Sequence, residues 1–173
     1  GILAAADGKQ VNVTVARNFV AGDGFYTLCV PFDMPASVIG KAYQIAAITE
    51  AGDGGVNVEF TEVTTILAGQ PYLIEPSADL NGFTVENVTI DNSTPAAVTV
   101  SGAGVSITMQ GKYSRDAKTN GLYWVGNDGY LYNDDVWPTA LCAYFNISTS
   151  SGIAPRMRVV TKEDAETGLD NIT

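Results

Sequence analysis

The sequence predicts an all-β fold, an antiparallel β-sandwich of Greek-key or jelly-roll type. Apolar and polar residues alternate along many short segments, as where Val56, Val58 and Phe60 alternate with Asn57 and Glu59. These segments are rich in Val, Ile, Thr and Tyr, and period-two alternation of such residues is typical of half-buried strands. Turn sequences rich in Gly, Asn and Asp separate them at the short spacing of a sandwich or barrel.

Twelve strands are predicted, near residues 9–17, 25–31, 42–49, 55–62, 71–75, 82–90, 96–101, 104–110, 121–126, 129–133, 140–147 and 155–161. The alternation shifts phase near Asn87, which predicts a β-bulge. Helical turns are predicted only at 35–38 and 161–166, so helix is expected below about 10% of the chain, against about a third in average globular proteins. Residues 1–161 are expected to form one domain and 162–173 a polar tail or linker.

The last predicted hairpin contains a tryptophan whose orientation matters for function. Strand alternation places Trp124 on the face opposite Tyr123 and Val125. The register of the second strand depends on whether residues 127–128 or 128–129 form the turn.

A turn at 127–128 would place Tyr132 on the face of Tyr123 and Leu131 on the face of Trp124. The tyrosine face then carries more apolar area, and we expect it to be the core. Trp124 is therefore predicted to face solvent, where a large exposed indole requires an explanation.

The composition excludes several classes of function. The chain has no histidine, which excludes Ser-His-Asp and Cys-His nucleophilic sites and histidine-ligated zinc. Its net charge of −10 repels phosphate groups, so we expect no nucleic-acid partner and no binding to anionic membranes. No apolar run approaches the roughly 18 residues of a membrane span.

An aromatic cluster is the strongest candidate for a binding site. Half of the aromatic residues lie within 113–145, beside several Asn and Asp residues. Aromatic faces cover the apolar faces of pyranoses, and amides and carboxylates bind their hydroxyls. Ordinary core and cross-strand packing is the simpler alternative, because aromatic residues are favoured in strands. The candidate ligand-binding residues are Trp124, Trp137, Asp128, Asn133, Asp134 and Asp135.

The acidic residues of this segment suggest two lesser alternatives. Calcium binds six to eight oxygens of this kind, but no Asp-x-Asp-x-Asp-Gly loop is present, and Asx-rich turns form without metal. A pair of carboxylates is the machinery of a glycoside hydrolase, but Asp134 and Asp135 point to opposite sides of an extended segment. We therefore expect no cofactor and no enzymatic activity.

The two cysteines, Cys29 and Cys142, each lie in a predicted strand. A buried free thiol behaves as a small hydrophobic group, and this is the expected state. The alternative is a disulfide, which would close a long loop and contribute on the order of 4–5 kcal/mol in the chain-entropy model.

Five segments resemble, in order, motifs of a β-rich domain common in secreted multi-modular surface proteins of Bacteroidetes, often C-terminal to leucine-rich or adhesin-like repeats. GFYTLCVPFD at 24–33 resembles "G-W-x-T-L-x-L-P-F", and the other segments are 41–43, 60–74, 138–145 and 167–172. Cys142 stands where that family has the arginine of "R-A-Y". The resemblance implies an all-β fold, secretion or surface location, and no catalytic residues.

The expected function is that of a non-catalytic extracellular or cell-surface module of structural or adhesion type, whose partner is a glycan or a surface protein. The alternative is a carbohydrate-binding module that uses the aromatic residues near 123–137. An exposed, coplanar pair of rings would favour this alternative.

Overall fold

The computed structural model describes residues 5–115, 121–133 and 139–162. Of these residues 58% are in strands and 3% are helical, so the predicted all-β sandwich is confirmed. A 3₁₀ turn, Ala36–Val38, lies where a helical turn was expected. The strands in these ranges are β1 (Gln10–Phe19), β2 (Tyr26–Leu28), β3 (Met34–Pro35), β4 (Gly40–Glu50), β5 (Val56–Val63), β6 (Thr65–Ile66), β7 (Tyr72–Pro76), β8 (Leu80–Thr89), β9 (Ala97–Gly102), β10 (Val105–Lys112), β11 (Tyr123–Val125), β12 (Leu131–Asn133), β13 (Cys142–Thr149) and β14 (Met157–Lys162).

The strands form three packed layers. An antiparallel ribbon of β1 and β8 covers one side of a middle sheet with the order β14-β5-β4-β7-β2. An outer sheet with the order β12-β11-β13-β10-β9 covers the other side, and β3 pairs with β6 in a short two-stranded piece. One hydrophobic core lies between the ribbon and the middle sheet, and a second lies between the middle and outer sheets.

The middle sheet is buried on both faces along β7. Tyr72 and Ile74 belong to the core under the ribbon, while Leu73 belongs to the core under the outer sheet. A strand covered on both sides carries a continuous apolar run in place of alternation. The ribbon therefore supplies a second layer of packing beyond that of a two-sheet sandwich.

The ribbon contains the predicted bulge. Val11 pairs with Val88 and Val13 pairs with Val85, so β8 holds one extra residue between these pairs. Asn87 has a φ of 55°, and its backbone N–H donates a hydrogen bond to the side-chain oxygen of Asn12 at 3.0 Å. Asparagine tolerates this left-handed conformation better than most residues.

One strand pair departs from the expected antiparallel arrangement. β14 runs parallel to β5, with Met157 opposite Val56. The chain leaves β13 in the outer sheet and crosses to the middle sheet before β14 begins. Parallel pairing requires such a crossover and cannot be made by a tight hairpin. Because alternation within one strand does not depend on the direction of its partner, it gave no signal of the parallel pair.

The middle and outer sheets are joined at both sides by hydrogen bonds. At one side the hydroxyl of Thr27 in β2 donates to Ala143 O at 2.8 Å and accepts from Ala143 N at 3.0 Å. At the other side Val159 N donates to Gly129 O at 2.7 Å. The candidate site lies at the first of these junctions.

Candidate functional site

A three-residue loop, 127–129, fixes the register of the β11–β12 hairpin. Gly126 N donates to Tyr130 O at 2.8 Å, and Gly129 N donates to Gly126 O at 3.0 Å. Gly129 has a φ of 81°, which suits glycine. A turn of this length followed by a left-handed residue is a common hairpin connection.

This register exposes two aromatic rings side by side. Trp124 pairs with Tyr132, and Val125 pairs with Leu131. The prediction that Trp124 faces outward is confirmed, but the expected placement of Tyr132 in the core and of Leu131 outside is wrong. The loop has one residue more than the turn at 127–128, and a shift of one residue exchanges the two faces of a strand.

The aromatic pair, defined as Trp124 and Tyr132, is well exposed and held in place. Each residue is 41% exposed, and the ring centroids lie 5.6 Å apart with a tilt of 37°, so the pair is exposed but not coplanar. The Tyr132 hydroxyl donates a hydrogen bond to a carboxylate oxygen of Asp128. The other oxygen of Asp128 accepts from Tyr130 N at 3.1 Å.

These hydrogen bonds shift the titration of both partners. The hydrogen bond from the Tyr132 hydroxyl lowers the pKa of Asp128 most, and the hydrogen bond from the Tyr130 backbone amide lowers it further. The same carboxylate raises the pKa of the Tyr132 phenol. Asp128 is therefore a positioning residue for the exposed ring of Tyr132, as a charged acceptor of its hydroxyl proton.

A cleft of about 200 Å³ opens beside the aromatic pair. In the described chain β11 contacts β13 through the single ladder pair Tyr123 and Phe145, and the two strands diverge beyond it. The cleft lies between the diverging strands, and its lining includes Arg17, Tyr26, Thr27, Trp124, Cys142 and Tyr144. One ring of the aromatic pair thus borders the cleft.

Arg17 is the charged residue of the cleft. Its guanidinium donates to Leu141 O at 2.6 Å and to Thr27 O at 3.1 Å, and it lies 4.9 Å from the ring centroid of Phe19. Burial lowers the pKa of Arg17. Among the described residues no carboxylate forms an ion pair with it. Leu141 has a φ of 56°, so Arg17 also stabilises an uncommon backbone conformation.

Sequence reasoning missed Arg17, although β1 contains a signal. Val11, Val13 and Val15 occupy the apolar phase of this strand, and Arg17 follows in the same phase before Phe19. A charge in the apolar phase of a strand is unusual, because burying it costs free energy unless it is paired.

The rest of the solvent face of the outer sheet is polar. Thr99 and Thr108 share a hydrogen bond of 2.7 Å, and Ser101 donates to Ser106 at 3.0 Å. Asn146 and Ser148 on β13 are exposed on this face. The aromatic pair lies at one edge of this sheet, and the hydroxyl and amide groups lie on the strands beyond it.

Of the other predicted ligand-binding residues the structure describes Asn133, which does not join this arrangement. Asn133 is exposed at the end of β12, opposite Tyr123, and alternation points it away from the face of Tyr132. Trp137, Asp134 and Asp135 lie outside the described residues. Within the described ranges, no group of three His, Cys, Asp or Glu side chains is placed to hold a metal ion.

Both cysteines are buried and carry free thiols in the structure. Burial, and then the proximity of Cys142, raise the pKa of the Cys29 thiol to about 12. Cys142 donates from its sulfur to Thr139 O at 2.7 Å, and Cys29 N donates to Leu141 O at 3.2 Å. Cys142 lines the cleft, and its thiol is near enough to Cys29 to influence the titration of that group.

Comparisons of this chain with protein-family models, curated proteins and solved structures gave no match. In the part of the chain that the structure describes, no helix has the length and apolar character needed to cross a bilayer. The functional proposal therefore rests on the sequence and on the geometry of the aromatic pair.

Proposed function

We propose that this chain is a non-catalytic, extracellular or cell-surface module of adhesion type that binds carbohydrate through Trp124 and Tyr132. The observation that carries the proposal is the exposure of both rings, fixed side by side on the solvent face of the outer sheet. Leaving apolar area in water forgoes roughly 25 cal/mol per Å². Exposed aromatic surface of this kind is typical of a binding site.

The surroundings of the aromatic pair favour carbohydrate over a protein partner. A protein interface buries about 800 Å² on each partner around an apolar core. Here the adjacent strand β13 and the strands β10 and β9 beyond it present Ser, Thr, Asn and Gln on the solvent face. Such side chains match the hydroxyls of a sugar, while the two rings match its apolar faces.

The site is also rigid, which reduces the entropic cost of binding. Both rings project from paired strands, and Asp128 holds the hydroxyl of Tyr132. Beneath them, Leu131 and Phe145 are buried in the core between the sheets. Sites built on strands keep their geometry better than sites built on loops.

Binding of the purified domain to a glycan array tests the proposal. We expect wild-type protein to bind a subset of glycans and Trp124→Ala to weaken that binding by about 30-fold or more, as for an aromatic hot spot. Ile153→Ala is the control, because Ile153 is 78% exposed on a distant loop. Absence of glycan binding by the wild type, or equal binding by Trp124→Ala, would contradict the proposal and favour a structural or protein-binding role.

The extracellular location is supported by the resemblance to secreted surface domains. An antibody against the domain should label intact source cells. Labelling that appears only after the cells are permeabilised would contradict this part of the proposal.

A further inference from the structure

We infer that the cleft beside the aromatic pair binds the carboxylate of an acidic sugar through Arg17, so that the ligand is a glycan containing uronic acid. The inference rests on the proposed binding of carbohydrate by Trp124 and Tyr132. It adds the chemical class of the sugar, which the aromatic rings alone do not select.

The position of the cleft suits a sugar that stacks on Trp124. The strand that carries Trp124 diverges from β13 at this point, so the indole forms one wall of the cleft and Tyr144 lines the other strand. The cleft volume of about 200 Å³ is below the roughly 300–1,000 Å³ of pockets that enclose drug-sized ligands. It therefore fits one sugar unit or its substituent, while the rest of the glycan lies along the exposed rings.

Arg17 has hydrogen-bonding capacity that the protein does not use. A guanidinium has five N–H donors in a planar fork. Two of them bind Leu141 O and Thr27 O, and three have no partner among the described residues. A half-buried cation without a carboxylate partner is costly, and a planar carboxylate is the ligand that this fork binds in a bidentate manner.

Two other polar groups of the cleft are already engaged. The Thr27 hydroxyl both donates to and accepts from the backbone of Ala143. The Cys142 thiol donates to Thr139 O. The remaining polar side chains of the described lining are the neutral hydroxyls of Tyr26, Thr139 and Tyr144, so Arg17 is the cation that favours an anionic substituent.

The net charge of −10 does not prevent binding of an acidic ligand. Interactions between exposed charges are screened beyond roughly 8 Å at physiological ionic strength, whereas partly buried pairs are screened much less. Asp128, the acid of the described hairpin, binds Tyr132 and is not among the described lining residues of the cleft.

Calorimetric titration with matched oligosaccharides tests the inference. The probes are tetramers of galacturonic, glucuronic and mannuronic acid, each compared with its methyl ester, which keeps the sugar and removes the charge. For at least one backbone we expect the acid to bind about tenfold or more tightly than the ester, as for a charge-assisted hydrogen bond. In Arg17→Gln the acid should bind no better than the ester.

Two controls separate recognition from folding and from overall charge. Arg158→Gln removes one exposed arginine on β14 and should keep the preference for the acid. If Arg17→Gln does not fold, the wild type alone decides, because a preference for the acid through the partly buried Arg17 should persist as salt rises, whereas a preference due to exposed charges would disappear.

Three results would overturn the inference. If the wild type bound acid and ester equally and Trp124→Ala bound neither, the proposal of carbohydrate binding would stand, but the role of Arg17 would be wrong. A sulfated tetramer that binds while every uronate fails would assign the cleft to a different anion. Failure of all acid, ester and neutral glycans to bind would overturn both this inference and the proposed function.

Discussion

Two clefts of this protein differ in volume and in the residues that line them. The smaller one is lined by aromatic residues and an arginine, whereas the larger one is lined mostly by small residues. A depression of about 490 Å³ lies at one end of the sandwich and is lined by three loops, with Glu50 as its charged residue and Gly, Ser and Thr as most of the others. No aromatic side chain is among its described lining residues. The cleft beside the aromatic pair has less than half that volume but is bordered by four aromatic residues and Arg17.

The difference follows from how each cleft is built. Loops at the end of a sandwich leave space between them whatever their sequence, because turns need small residues such as Gly52 and Gly104 with positive φ. The cleft beside the aromatic pair, called the aromatic cleft below, arises where two strands of one sheet diverge. The strands that carry its side chains are anchored in the core. Volume therefore indicates the recognition site less well than the residues that line it.

The largest expected effect is loss of the support beneath the aromatic cleft. Phe145 is fully buried, with its ring edge-on to Phe60 at a centroid distance of 6.4 Å. We expect Phe145→Ala to lower the free energy of unfolding by about 3–5 kcal/mol in urea denaturation. Ile153→Ala at the loop depression should change it by less than about 0.5 kcal/mol. If Phe145→Ala and Ile153→Ala lowered the free energy of unfolding by similar amounts, the distinction between a cleft anchored in the core and one built from loops would be wrong.

A smaller but still clear effect is expected from crowding at Gly111, on the buried face of β10. A methyl group on Gly111 would lie 2.5 Å from the sulfur of Cys29. Gly111→Ala should therefore destabilise the protein by about 1–3 kcal/mol. The double variant Gly111→Ala with Cys29→Ala removes the sulfur and should be more stable than the sum of the single variants predicts. Strict additivity in thermal or urea unfolding would argue against this close contact.

The two thiols, Cys142 in the lining of the aromatic cleft and Cys29 in the core, provide a chemical probe of burial. Because burial raises the pKa of Cys29 to about 12, its thiol is neutral at pH 7, and the thiolate is the reactive form. We expect neither cysteine to react with a thiol reagent in the native protein and both to react after denaturation without reductant. Denatured protein with no reactive thiol and a mass lighter by two hydrogen atoms would show a disulfide between Cys29 and Cys142.

The smallest expected effect concerns the hydrogen bond that positions Tyr132. The pKa of Asp128 is lowered in the folded protein, so the stabilisation is present above the ordinary Asp pKa of about 3.9 and is lost as the pH falls through the folded value. The pKa of Tyr132 is raised, so the bond is also lost as the pH rises through that value above about 10.

Asp128→Asn should return the phenol titration of Tyr132 toward about 10 in ultraviolet absorbance. We expect the substitution to weaken glycan binding by less than about tenfold, because the ring remains in place through its strand. An unchanged Tyr132 titration would contradict the role of Asp128 as its positioning residue.

The sequence by itself determined the type and faces of most strands. Alternation is a local property, so Trp124 could be assigned to the side opposite Tyr123 and Val125 without knowledge of any partner strand. The phase shift at Asn87 likewise located the bulge in β8, because an extra residue changes the period wherever it occurs. The two-residue strands β3 and β6 are too short to alternate, and they were not predicted.

Only the tertiary structure decided which side chains meet. The partner of Trp124 depended on one residue of turn length, which moved Tyr132 to solvent and Leu131 to the core. The aromatic cleft depended on contacts between distant segments, since Arg17 binds the carbonyl of Leu141 from the far end of the chain. Alternation constrains each strand alone, whereas the order of strands in a sheet follows from non-local pairing and from the packing of both cores.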